Sequence, residues 1–186
     1  NRSLIMILRF KIILFTIFMF ISQIGLSASK VEIDAQIDEV LSKLYDFSPA
    51  AKTLASKAEG ILVFPNIVKA GWVIGGSYGE GALRVNDQNI QYYNNISGSV
   101  GFQFGVEKRS EVIIFLDKTA LISFQTSGGW DGGADGSVAI ATFGTGEAFT
   151  FENIKDPIVS FIFSPEGLMV NASLEGTKIS KIKTPE

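Results

Sequence analysis

Sixteen of the nineteen glycines in this 186-residue chain lie between Gly60 and Gly146. No other feature limits the fold as much. A glycine inside a helix costs about 1 kcal/mol relative to alanine, so a stretch this rich in glycine does not build long helices. In a strand, glycine marks a bulge, a bend or the close approach of another backbone, and strongly curved sheets depend on such positions. Strand-forming residues alternate with them: Phe102 and Phe104 flank Gln103 between Gly101 and Gly105, a period of two. With only five prolines the segment is neither collagen-like nor disordered. It predicts a curved β body over residues 60–186.

The residues before Gly60 read differently. Arg2, Arg9 and Lys11 precede an apolar run from Ile12 to Ile21, and small residues follow at Gly25, Ser27, Ala28 and Ser29. This is the pattern of a secretory signal peptide over residues 1–28; the strictly apolar centre is shorter than the ~20 residues of a membrane span. From residue 29 to 59 the sequence is helical. Ile33, Ile37, Val40, Leu41 and Leu44 fall at i, i+4, i+7, i+8 and i+11, an amphipathic stripe. Ser29 is placed to cap that helix and Ser48-Pro49 to start a second. Removing residues 1–28 takes three cations and no acid, so the formal charge moves from −3 to −6. Nucleic acid, bound through cationic contacts to phosphate, is excluded as a partner class on that balance.

Within the β body, Ile61–Phe64 reads as a buried strand ended by Pro65. Trp72–Ile74 and Ala82–Val85 flank the cluster Gly75, Gly76, Gly79 and Gly81, and Asn86-Asp87 marks a turn. Further strands are expected at Gln91–Tyr93, Ser99–Glu107, Glu111–Leu116, Ser137–Phe143, Ile158–Phe163 and Leu168–Leu174. One helix is expected near Asp117–Gln125. The expected core includes Phe64, Trp72, Phe104, Phe115, Trp130, Phe161 and Phe163. The fold class is α+β: N-terminal helices packed on a curved, glycine-rich antiparallel barrel or sandwich.

Neither cysteine nor histidine occurs anywhere in the chain. Disulfides, thiolate zinc sites and histidine-based nucleophilic triads are therefore unavailable to it. That decides an otherwise tempting match. Gly75-Gly-Ser77-Tyr-Gly79 fits the nucleophile elbow of hydrolases, but the elbow needs a base for the serine proton. Ser180-x-x-Lys183 lacks its companion motifs, and the glycine cluster fits no phosphate-loop spacing. Asp131–Gly136 is not a calcium loop, because the twelfth position is Thr142 where glutamate is required. No metal or cofactor is expected. The carboxylates Glu80, Glu107, Glu111, Asp131, Asp135 and Glu147 are read as exposed strand or turn charges.

Several of these segments, taken in order, resemble the SYLF domain family. They are Gly60–Pro65, Gly71, Gly75–Gly81, Gly101–Gly105, Trp130 with Gly133–Ser137 and its Asp135, Gly167-Leu168 and Ser173–Gly176. The similarity runs from about Ile37 to Ile182 and is greatest to the secreted bacterial branch. The resemblance implies lipid binding at phosphoinositide-type membranes, in some members an actin connection, and membrane contact through a basic amphipathic N-terminal segment. Here residues 30–47 carry two lysines against five acids, and an acidic helix has no electrostatic pull toward anionic lipid. The cations left as head-group candidates are Lys69, Arg84, Lys108, Arg109, Lys178, Lys181 and Lys183.

The leading expectation is an exported, periplasmic or extracellular, non-enzymatic lipid-binding module whose partner is a phospholipid membrane surface. An integral outer-membrane β-barrel is the alternative, favoured by the export signal and the glycine- and aromatic-rich strands. It is opposed by runs such as Ile113–Leu116 that are apolar on both faces. A carboxylate enzyme is the third reading, and it requires two perturbed acids in an open cleft.

Overall fold

The computed structural model describes residues 28–71, 74–100, 105–131, 138–141, 156–165, 167–168 and 176–186. Trp72, Gly101, Phe104, Asp135 and residues 1–27 of the signal segment lie outside them. Two helices open the chain, α1 (Lys30–Phe47) and α2 (Pro49–Ala55). Four strands follow: β1 (Gly60–Gly71), β2 (Ile74–Val85), β3 (Gln88–Val100) and β4 (Gly105–Phe115). Helix α3 (Lys118–Ser127) precedes β5 (Gly129–Asp131), β6 (Val138–Ala141), β7 (Ile158–Ser164), β8 (Gly167–Leu168) and β9 (Thr177–Ile182).

Each helix starts on the cap its sequence supplies. Ser29 Oγ accepts from the Glu32 amide at 3.3 Å and Ser48 Oγ from the Ala51 amide at 3.2 Å. Asp117 Oδ1 accepts from the Ala120 amide at 2.9 Å. Helix α3 ends on Gly128 at φ 75°, the left-handed stop that glycine adopts without a Cβ penalty.

The strands form one sheet in the order β5-β9-β3-β2-β1-β4-β7-β6, with β8 added beside β7. All pairs are antiparallel except β6 with β7. Alternate residues feed two cores, one on each face. On one face Val63, Ala82, Tyr92, Val112, Ile114 and Phe161 pack against the apolar stripe of α1 and α2. On the other, Leu62, Phe64, Leu83, Tyr93, Ile113 and Phe115 pack with Leu121 and Phe124 of α3 and with Trp130. A strand buried on both sides is apolar on both faces, which explains the unbroken runs at 61–64 and 112–115 and the run at 158–163, interrupted only by the small Ser160.

The sheet is strongly curled. Asn95 on β3 and Glu111 on β4 are separated by β2 and β1, about 14 Å across a flat sheet. Yet Asn95 Nδ2 donates to Glu111 Oε2 at 3.0 Å. The glycines of β2 allow this. A Cβ built on Gly81 would lie 2.0 Å from the Val63 carbonyl oxygen, and one on Gly79 would lie 2.7 Å from Ile67 Cγ1. Strands β1 and β2 meet more closely at these two positions than any side chain permits.

Two sequence expectations change. Pro65 does not end its strand: β1 runs on to Gly71, and the register jumps from Phe64↔Glu111 to Ile67↔Arg109. The proline sits in that bulge, where its missing N–H breaks no ladder bond, and Ser110 Oγ donates to its carbonyl at 2.8 Å. Nor are Ser99–Glu107 and Glu111–Leu116 two separate strands: Ser99 and Val100 end β3, and β4 runs unbroken from Gly105 to Phe115, while the glycine cluster lies within β2. Asn86 and Asp87 make the expected turn, both at positive φ (49° and 60°), as a two-residue hairpin loop requires.

Candidate functional site

Helix α1 covers only part of its face of the sheet. Where it ends, the register brings five side chains into one row across five strands. Lys108 on β4 opposes Val68 on β1, Val68 opposes Tyr78 on β2, Tyr78 opposes Ile96 on β3, and Ile96 opposes Lys178 on β9. Directly opposed residues point to the same side of a sheet. Tyr78 is 38% and Ile96 45% exposed, and both lysines are exposed. Val106 and Ala70 continue the patch one step outward with Gly76 and Gly98, and Val106 is 70% exposed. The result is an apolar strip with a lysine at either end.

A trough runs along α1 beside this strip. Its larger part, about 710 Å³, lies between the start of α1 and β1–β2; Ile33, Val68, Ala70, Gly76 and Tyr78 line it, with Glu32 and Glu80 among its acidic groups. Its smaller part, about 240 Å³, lies toward β4 and β7, between Val40, Lys43 and Glu39 on the helix and Lys108 and Phe163 on the sheet. Gln36 and Asn66 belong to both parts. At the acidic end Glu80 accepts from Tyr78 Oη at 2.6 Å and from the Ala28 amide at 3.1 Å. Burial, and then the bond to the Glu80 carboxylate, push the Tyr78 phenol up to about 12.

The charge of α1 is largely engaged. Asp34 accepts from Lys30 Nζ at 2.5 Å, Tyr92 Oη at 2.7 Å and Asn89 Nδ2 at 2.8 Å. Burial raises its carboxyl, but these three bonds outweigh it and hold the group below the usual range. Asp38 pairs with Arg84 and Glu39 with Lys43, each at 2.6 Å.

The seven candidate cations therefore separate. Lys108 and Lys178 flank the apolar strip. Arg84 is tied to Asp38 and Asn89. Lys69 is half-buried and alternates with Val68, so it faces the other side; Lys181, opposite Tyr93, also faces that side. Lys183 is exposed beyond the end of β9. Arg109 shares the concave face with Glu111, and its Nε is buried without a hydrogen-bond partner among the described residues. Of the motif glycines, Gly75, Gly76, Gly79 and Gly81 lie in β2, Gly105 opens β4 and Gly176 (φ 71°) precedes β9. Trp130 is buried in β5, as expected.

The carboxylate reading needs correcting at two positions. Glu80 is only 9% exposed and Glu111 is wholly buried, because the curl turns β4 inward under Asn95. Burial pushes the Glu111 carboxyl up to about 7, against the opposing pull of Arg109 and the Asn95 bond. Glu111 is closed from solvent, so it does not supply the open pair of acids that the enzyme reading requires. Ser77 of the elbow-like motif lies in mid-strand, its Oγ 2.7 Å from Ser97 Oγ on the paired residue of β3. Among the described residues no group of three acids is placed to hold a metal.

The sequence model of the Ysc84 family, described as Las17-binding protein actin regulator, matches residues 96–184. The matched span begins at Ile96 in the lysine-flanked row and takes in β4 through β9. No curated protein matches the chain.

Proposed function

Because residues 96–184 carry a domain of the SYLF (Ysc84) family, we propose that this protein is an exported, non-enzymatic module that associates with the lipid surface of a membrane. The observation that carries this reading is the row Lys108–Val68–Tyr78–Ile96–Lys178. An exposed apolar strip with an aromatic at its centre suits the boundary between acyl chains and head groups. Lysines at its ends bury their stems and lift their ammonium groups to phosphate level, each worth about 1 kcal/mol near an anionic surface. The contact is made by strands rather than by α1, and Arg84 of β2 pairs with Asp38 to offset part of the helix's negative charge. The barrel alternative has less support. A spanning barrel must close to satisfy its backbone, whereas the described strand order runs from β5 at one end to β6 at the other and α1 and α2 cover one face.

Vesicle sedimentation tests the reading. The full chain is expected to pellet with vesicles containing phosphatidylglycerol, more strongly at low salt. Ile96→Glu should reduce association about tenfold or more, since it places a charge in the apolar strip. Absence of association at any lipid composition in low salt would overturn the proposal.

A further inference from the structure

The trough along α1 is divided by chemistry as well as by shape. The larger part has a mostly apolar surface, with Ile33, Val68, Ala70 and Tyr78 beside the polar Gln36, Asn66 and Ser77, and its volume of about 710 Å³ is that of a small-molecule pocket. Its carboxylates, Glu32 and Glu80, lie toward the start of the helix. The opposite end has a cationic excess: Lys43, Lys108 and Arg109 line the smaller part, where Glu39 is paired with Lys43, and Gln36 and Asn66 stand where the two parts meet. Lys108 is also the cross-strand neighbour of Val68, which lines the larger part. A ligand complementary to this arrangement has one long apolar portion and a negative charge at one end only.

We infer that the trough binds a single-chain amphiphile with an anionic head, its acyl chain between α1 and β1–β2 and its carboxylate or phosphate against Asn66, Gln36 and Lys108. Glu32 and Glu80 set the direction, because an anionic head entering at their end meets like charge. The site deepens the membrane reading, on which it rests for the source of the ligand. It adds that the protein accepts an individual lipid molecule rather than only touching a bilayer.

The glycine on the floor of the trough supplies the test. A Cβ added at Gly76 meets only the Ser97 carbonyl, at 3.4 Å, so Gly76→Val fills the trough and suits a strand. Ala70→Leu, at the exposed residue opposite Gly76, is a second filling variant. Binding of tritiated palmitate, palmitoyl lysophosphatidate and hexadecanol to the full chain is measured by equilibrium gel filtration. One saturable equivalent of palmitate or lysophosphatidate is expected, with hexadecanol bound about tenfold more weakly for want of the charge-assisted contact. Lys108→Glu should weaken the anionic ligands about tenfold and leave hexadecanol unchanged. Either filling variant should abolish binding of all three. Palmitate binding with lysophosphatidate excluded, or the reverse, identifies the head as carboxylate or phosphate and supports the site. No stoichiometric binding of either anionic ligand, or binding indifferent to both filling variants, overturns it. Ile96→Glu separates the two proposals: it should remove vesicle association and leave palmitate bound. Palmitate bound without any vesicle association would defeat the membrane reading alone, and vesicle association without palmitate binding would defeat the trough alone.

Discussion

Glu111 is the residue whose chemistry departs furthest from its sequence context. A carboxyl raised from 4.5 to about 7 binds its proton more tightly in the folded chain than in the unfolded one. Its contribution therefore favours folding at low pH and declines as pH rises from about 4.5 through 7, a change of about 3 kcal/mol. The positive charge of Arg109 opposes this rise. Urea melts at pH 5 and pH 8 should show the wild-type chain losing stability between them, and Glu111→Gln, which keeps an acceptor for Asn95, should flatten the difference. The glycines give a second contrast at this scale. Gly81→Ala drives a methyl into the Val63 carbonyl and should cost about 3 kcal/mol, whereas Gly98→Ala, with nothing within 4 Å, should be neutral or slightly stabilising. The sequence marks both positions only as glycine in a β segment, because which of two glycines meets a backbone depends on a neighbour strand that the sequence does not identify.

Helix α1 is held to the sheet by apolar packing along its stripe and by Asp34 at its start. Asp34→Ala removes the acceptor shared by Lys30, Tyr92 and Asn89 and should cost about 1–2 kcal/mol. Faster amide exchange confined to the first turns of α1 is the signature to seek. With its carboxyl held low, the Asp34 contribution is complete above its ordinary 3.8 and is lost as pH falls through the depressed value. At this scale the sequence was most informative for helices. The stripe at 33, 37, 40, 41 and 44 and the caps Ser29, Ser48 and Asp117 sit where their patterns put them, because both signals are local. Strands were less legible. Pro65 looked like a terminator because a bulge that absorbs a proline is a property of a pair of strands. Strand β9 carries little strand signal, since Thr177, Lys178, Ser180 and Lys181 leave it only two apolar residues, Ile179 and Ile182. The lysine-flanked row was illegible for the same reason, as its five members are drawn together by register from across 110 residues.

In the whole molecule, β1, β2 and β3 form a meander of sequence neighbours, β4 crosses back to pair with β1, and β9 returns from the end of the described chain to complete the far side of β3. Gln91 Nε2 donates to the Ile182 carbonyl at 3.0 Å across a separation of 91 residues. This pairing sets an order in time. The four strands β1 to β4 are all present once residue 115 has been made, yet β3 keeps a bare hydrogen-bonding edge, with Ile96 beside it, until residues 177–182 are synthesised. A chain stopped at Gly176 should therefore stick to copies of itself along β3, as unpaired edges do, and elute from a sizing column as oligomers where the full chain elutes smaller. Strand β9 thus guards the molecule's own assembly, and any process that delays or clips it exposes the chain to aggregation before it exposes it to unfolding.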